Sequence, residues 1–119
     1  MRHKIVTCMF AAAALLLSAC GKSDDITNLS RKEVYFFYQQ SCPHCHTAAD
    51  YIKANHPKLR IKALDINMPG NRRLFENAVR EYKLEGAAGT PFICFGKRYI
   101  MGWGDDDPKL FDELAADYK

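Results

Sequence analysis

The sequence predicts an α/β domain, a four-stranded mixed sheet flanked by helices in the order βαβαββα. Three observations carry that expectation. Val34-Tyr35-Phe36-Phe37-Tyr38 is a β-branched and aromatic run of the kind that forms a buried strand. A strand–helix–strand start requires a parallel pair joined by a right-handed crossover. Near the other end, Gly96-Lys97 separates two short apolar runs and closes an antiparallel hairpin.

The elements follow in order. Gln39-Gln40-Ser41 breaks the first strand. A helix then runs from about Pro43 to Asn55, with Ala48, Ala49, Tyr51 and Ile52 on its apolar face and His56-Pro57 ending it. Leu59 to Ile66 alternates at first, with Leu59, Ile61 and Ala63 expected inward, and reads as a second strand. Pro69-Gly70 is expected to turn and Asn71 to cap the next helix. In that helix Leu74, Phe75, Ala78, Val79 and Tyr82 form one stripe. Gly86-Ala87-Ala88-Gly89 reads as a loop, Phe92 to Phe95 and Arg98 to Met101 as the hairpin strands. Asp107 is expected to cap a last helix with Pro108 at its first position, and Leu110, Phe111, Leu114 and Tyr118 turned inward.

The chain of 119 residues allows one domain. With 48% apolar and 12% aromatic residues it can bury a core, and 26% charged residues of mixed sign argue against disorder. The net charge is +3, and Arg2 and Lys4 supply two of the 17 basic residues. The remaining chain is balanced, which excludes a nucleic-acid binder with a basic stripe. No apolar run approaches the roughly 20 residues of a membrane-spanning helix.

The first 20 residues read as an address. A basic start leads into an apolar stretch from Ile5 to Leu17, followed by Leu17-Ser18-Ala19-Cys20. Those four residues resemble the lipobox of bacterial lipoproteins. The resemblance implies a signal peptide over 1–19, lost together with Cys8, and a lipid anchor on Cys20. It further implies a place on the periplasmic side of the cell envelope, with Gly21 favouring the outer membrane. Residues 20–33 are then the lipidated cysteine and a polar tether, which reaches roughly 20 Å by square-root scaling. The folded domain is expected over 34–119.

The chemistry is concentrated in Cys42-Pro43-His44-Cys45, which follows a buried strand and opens a helix. With Cys42 as the N-cap, Pro43 takes the first helical position, where its missing N–H costs nothing. The Cys42 sulfur then occupies the place of a capping oxygen, close to free N–H groups and to the positive end of the helix dipole. Its thiolate is stabilised there, and its pKa is expected below the free-thiol value of about 8.5. His44 supplies a further donor or a positive charge. Cys45, one turn deeper, is positioned to close a disulfide. Such a pair performs thiol–disulfide exchange: Cys42 forms a mixed disulfide and Cys45 resolves it. This chemistry needs no cofactor.

Strand, CxxC, helix and then Thr90-Pro91 opening a hairpin resemble the thioredoxin fold over about residues 34–119. The resemblance implies a cis Pro91 packed against the CxxC, and a Thr90 backbone that pairs with substrate. The CPHC tetrapeptide is similar to that of periplasmic disulfide oxidants. The compact layout and Gly102-Trp103-Gly104-Asp105-Asp106 look more like glutaredoxin, in which such glycines and aspartates hold glutathione. Gly102, Gly104, Asp105 and Asp106 are therefore the expected contacts for glutathione or another substrate. The implied partners are exported proteins bearing thiols or disulfides, glutathione, and a membrane redox partner. Phe36 stands where thioredoxins keep a buried acid, so the Cys45 proton must leave by water or another group.

A different class of reading is a metal or haem carrier. Cys42-Pro43-His44-Cys45-His46 also fits C-x-x-C-H, the c-type haem attachment motif, with Met68 or Met101 as a second axial ligand. The same cysteines with His44 and His46 could hold Cu(I) or Zn. Against this, the downstream Thr-Pro hairpin has no role in a small cytochrome. Cys94 is expected to point into the core with Phe92 and to be inert. The aromatics read as packing, with Trp103 near the rim where a substrate would lie.

Overall fold

The computed structural model describes residues 33–118. The expected signal sequence, Cys20 and all of the tether except Glu33 lie outside them. The order is β1 (Val34–Tyr38), α1 (Pro43–Asn55), β2 (Ile61–Asp65), α2 (Pro69–Glu81), β3 (Phe92–Phe95), β4 (Arg98–Met101) and α3 (Asp107–Ala115), with a 3-10 turn over Ala116–Tyr118. The strands lie in the order β2-β1-β3-β4. β1 pairs with β2 in parallel, Val34 opposite Ile61, and with β3 antiparallel, Tyr35 opposite Cys94. β3 and β4 form the closing hairpin, and Gly96 takes the positive φ of 73° that its turn requires.

Helices cover both faces of the sheet. Alternation along β1 sends Val34 and Phe36 to one side, where α1 and α3 pack through Ala48, Ile52, Phe111 and Leu114. Tyr35 and Phe37 go to the other side, against Phe75, Ala78 and Val79 of α2. Phe92 and Cys94 share that second layer. Phe37, Phe92 and Phe111 are fully buried. The α2 stripe read from the sequence is the face that meets the sheet, with Leu74 and Tyr82 at its margin.

Four local expectations are corrected. β2 begins at Ile61, and its most buried residues are Leu64 and, just beyond it, Ile66, both under α2. Ala63, expected inward, is exposed, because β2 is an edge strand whose other face α1 only partly covers. Pro69-Gly70 is the first turn of α2, not a turn before it, and Met68 holds the N-cap position. Asn71 lies within the helix and donates its side-chain amide to the Asp65 carbonyl at 3.1 Å. α3 starts one residue earlier than expected, at Asp107, with Pro108 next. The Asp107 carboxylate still serves the helix start, accepting the Gly104 N–H at 2.6 Å.

α2 ends on a left-handed residue. Lys83 has φ 59°, the Lys83 N–H donates to the Arg80 carbonyl and the Leu84 N–H to the Val79 carbonyl at 2.8 Å. That is a Schellman-type stop with lysine in the position usually given to glycine.

Candidate functional site

β1 delivers the chain to the site and α1 begins there. Cys42 has extended backbone (φ −96°, ψ 107°) and sits at the N-cap of α1, with Pro43 inside the first turn. The Cys45 N–H donates to the Cys42 sulfur at 3.1 Å. The sulfur thus takes the role of a capping oxygen. Cys42 and Cys45 form a disulfide, with Cα atoms 5.2 Å apart. Cys42 is half-buried, whereas Cys45 is 2% exposed among core residues of α1. Pro43, His44 and His46 are exposed.

The hairpin end completes the site. The Thr90–Pro91 peptide bond is cis, Pro91 is fully buried and Thr90 half-buried. The Cys42 sulfur stands 3.6 Å from the Thr90 carbonyl oxygen. The structure therefore brings together Cys42, Cys45, Thr90 and Pro91, from opposite ends of the domain.

Gly102 is tied to the same corner, because its N–H donates to the Pro91 carbonyl at 2.7 Å and its φ is 86°. The Gly104 N–H is already used by Asp107, so it is not an open donor. Asp105 and Asp106 are exposed in this loop. Trp103, the residue after Gly102, has the packing role read for the aromatics. It is 9% exposed and packs on Tyr51 and Phe111 in the core.

Several features of the site escaped the sequence. An open groove of about 460 Å³ runs beside the disulfide, walled by Phe36, Cys45, His46, Ala49, Ile61 and Ala63. It exists because α1 only partly covers that face of β2. His46 donates its Nε2–H to the Gln40 carbonyl at 2.7 Å, since a carbonyl can only accept. A haem or metal ligated through that nitrogen has to break this bond. Among the described residues no three His, Cys, Asp or Glu side chains converge on a point that could hold a metal ion.

A second polar cluster closes the far end of α1. The Tyr51 hydroxyl donates to both Asp112 oxygens at 2.8 Å, and His56 Nε2 lies 2.7 Å from Asp112 Oδ1. That bond with Asp112 raises the Tyr51 pKa. A larger cavity of about 640 Å³ adjoins it, lined by His56, Lys58 and Arg60, and contains neither cysteine of the disulfide.

Cys94 lies in the sheet layer under α2 with its thiol pushed up to about 12 by burial, which a hydrogen bond with Tyr82 partly offsets. Burial first, then the neighbouring Cys94 thiol, also raises the Tyr82 phenol. Neither group titrates near neutral pH.

No protein-family model and no curated protein matches the sequence. Solved structures do. The glutaredoxin of Archaeoglobus fulgidus aligns with a TM-score of 0.55 at 15% identity, covering 79% of this chain and 96% of that one. Thioredoxin O2 of Arabidopsis thaliana, in its oxidized state, aligns with a TM-score of 0.45 at 18% identity, covering 73% and 75%. Together with the sheet order and the helices on both faces, the glutaredoxin alignment gives the chain a thioredoxin-like fold, with a disulfide-bonded CxxC pair at its first strand–helix junction.

Proposed function

We propose that this protein is a thiol–disulfide oxidoreductase that exchanges disulfides with proteins through Cys42 and Cys45. The observation that carries the reading is the asymmetry of the pair. The Cys42 sulfur is half-buried and accepts a helix-terminal N–H at 3.1 Å, while its partner Cys45 is 2% exposed. A thiolate forms most readily at the first sulfur, and the second is shielded from competing partners.

The step balances without a cofactor. To reduce a substrate disulfide, the Cys42 thiolate attacks one substrate sulfur, and the substrate S–S bond breaks as the mixed disulfide forms. Cys45 then loses its proton and attacks Cys42. The Cys42–Cys45 bond forms, the mixed disulfide breaks, and the substrate leaves with both its sulfurs reduced. Run backwards, the same steps oxidise a dithiol. Pro43 and His44 shape the start of α1 around the nucleophile. The backbone at Thr90-Pro91 borders it and is the edge on which a substrate segment would lie.

We read the substrate as a protein more than as glutathione, because the Gly104 N–H is already bonded to Asp107. The export and anchoring read from Leu17-Ser18-Ala19-Cys20 belong to the same proposal. They put the domain of residues 34–119 on a tether at the periplasmic side of a membrane, supplied or drained of electrons by a membrane redox partner.

Trapping tests it. Cys45→Ser should hold substrate proteins as mixed disulfides on Cys42, identifiable by mass spectrometry after non-reducing separation. Cys42→Ala should capture nothing and should not reduce insulin. Equal capture by both variants would sink the reading.

A further inference from the structure

We propose that His46 is the proton acceptor for the Cys45 thiol, reached through water in the groove beside the disulfide. The inference rests on the exchange reading above and deepens it. Resolution requires the Cys45 thiolate, because the thiol itself is a poor nucleophile. Yet Cys45 is 2% exposed, and none of the described residues that are buried as a whole is polar or charged. The β1 side chains in the groove wall are Phe36, which can take no proton, and Tyr38.

The groove is the way out. Cys45 and His46 both line it, and its volume of about 460 Å³ has room for several waters at roughly 30 Å³ each. The Nε2–H of His46 is committed to the Gln40 carbonyl at 2.7 Å. In the neutral imidazole this leaves Nδ1 as a lone-pair acceptor, held in one tautomer by the backbone. The other titratable side chains of the groove are Lys53 and Tyr38; β2 contributes Ile61 and Ala63, which do not titrate. Of the three, imidazole is the usual general base, and it is the one whose free ring nitrogen is fixed by a backbone hydrogen bond. Asp50 is on α1 one turn beyond His46 and is exposed to solvent.

The proton passes from Cys45 Sγ to a groove water as that water gives one to His46 Nδ1. The Cys45 thiolate attacks Cys42, and the departing substrate thiolate is reprotonated by solvent or by the imidazolium. One base acting through one water is within the reach of general base catalysis.

Ellman's reagent separates the steps. On the reduced full chain with Cys8 and Cys20 changed to serine, the first thionitrobenzoate is released when Cys42 is captured and the second when Cys45 resolves it. His46→Gln should leave the first release unchanged and slow the second about tenfold or more at pH 7. The two proteins should converge in alkali, where hydroxide takes over, and free imidazole should restore the second phase of the variant. A second phase equal to that of the unsubstituted protein, or one slowed equally at every pH and untouched by imidazole, overturns the proposal. A chain with His46 that releases only one equivalent overturns both this proposal and the exchange reading.

Discussion

The Cys42 sulfur and the Thr90 carbonyl oxygen face each other at 3.6 Å, although the residues are 48 positions apart. Once the disulfide is reduced, two influences compete at that sulfur. The Cys45 N–H stabilises the thiolate, whereas the Thr90 carbonyl accepts from the thiol and repels the thiolate. Only the first of these is visible in the local sequence, since Thr90 lies 48 residues away. The thiolate is therefore favoured, but less than the helix terminus alone implies.

With both thiols reduced, Cys42 should be alkylated by iodoacetamide at pH 6 at least roughly tenfold faster than Cys45. Both the Cys45 N–H aimed at the Cys42 sulfur and the 2% exposure of Cys45 act in that direction. Peptide mapping at short times reads it, and equal labelling of the two would contradict the geometry.

Cys94 should make the protein sensitive to alkali. Its folded pKa of about 12 lies above the ordinary value of 9.0, so the folded state holds the thiol proton more tightly than the unfolded state. That contribution is complete below pH 9 and is lost as pH rises from 9 towards 12, at up to about 1.4 kcal/mol per pH unit. Cys94→Ala should be less stable at pH 7 because it leaves a cavity. The gap between the two proteins in urea denaturation should narrow by pH 10.5, and a gap that widens would reverse the assignment.

Asp112 should matter more for stability than its 49% exposure suggests. The His56 side chain is 6% exposed, and its Nδ1 is buried with no partner among the described residues. Asp112→Ala removes the Nε2 partner as well, at a cost of about 1–3 kcal/mol. Asp112→Asn keeps an acceptor for both His56 and Tyr51 and should cost less. Thermal melts that rank the two substitutions the other way would refute the role given to this cluster.

Lys83→Gly should stabilise the fold by about 1 kcal/mol, since φ 59° strains a residue with a Cβ and suits glycine. Calorimetry decides it; a lower melting temperature would mean that the lysine side chain makes up for its backbone.

Much of this was legible in the sequence because the signals are local. The aromatic run of β1, the period of the α2 stripe and the Gly96 turn each read correctly from a few adjacent residues. The CxxC was legible for the same reason, as strand, cap and Pro43 lie within ten residues. β2 misled because its neighbours are not local. Period-2 alternation says which residues share a face, but only the docking of α2 decides that Leu64 and Ile66, not Ala63, are the covered ones. How deeply Trp103 is buried depends on Tyr51 and Phe111, which come from two different helices. The Thr90 carbonyl, the groove and the His56–Asp112 contact all join segments more than forty residues apart or depend on what is left uncovered, and no short window contains them.

The anchor is tested at the protein's first residues. Mass spectrometry of the mature N-terminus should find acyl chains on Cys20, and Cys20→Ser should release the domain from membranes, because stable attachment takes more than one chain. An unmodified N-terminus elsewhere would remove the anchor and leave the exchange chemistry standing.

The sheet order also sets a sequence in time. β1 is the first strand in the chain yet lies inside the sheet, with one neighbour, β2, arriving soon after it and the other, β3, only near the end. During synthesis, the dithiol emerges long before the hairpin that borders it. A chain stopped before Thr90 carries both cysteines but lacks the Thr90 carbonyl, the buried Pro91 and the α3 side of the core. Its Cys45 is then as open to solvent and to foreign thiols as its Cys42. The ratio of the two alkylation rates is therefore a gauge of whether the domain is finished: near unity in a nascent or truncated chain, and large only after the last hairpin has closed over the first helix.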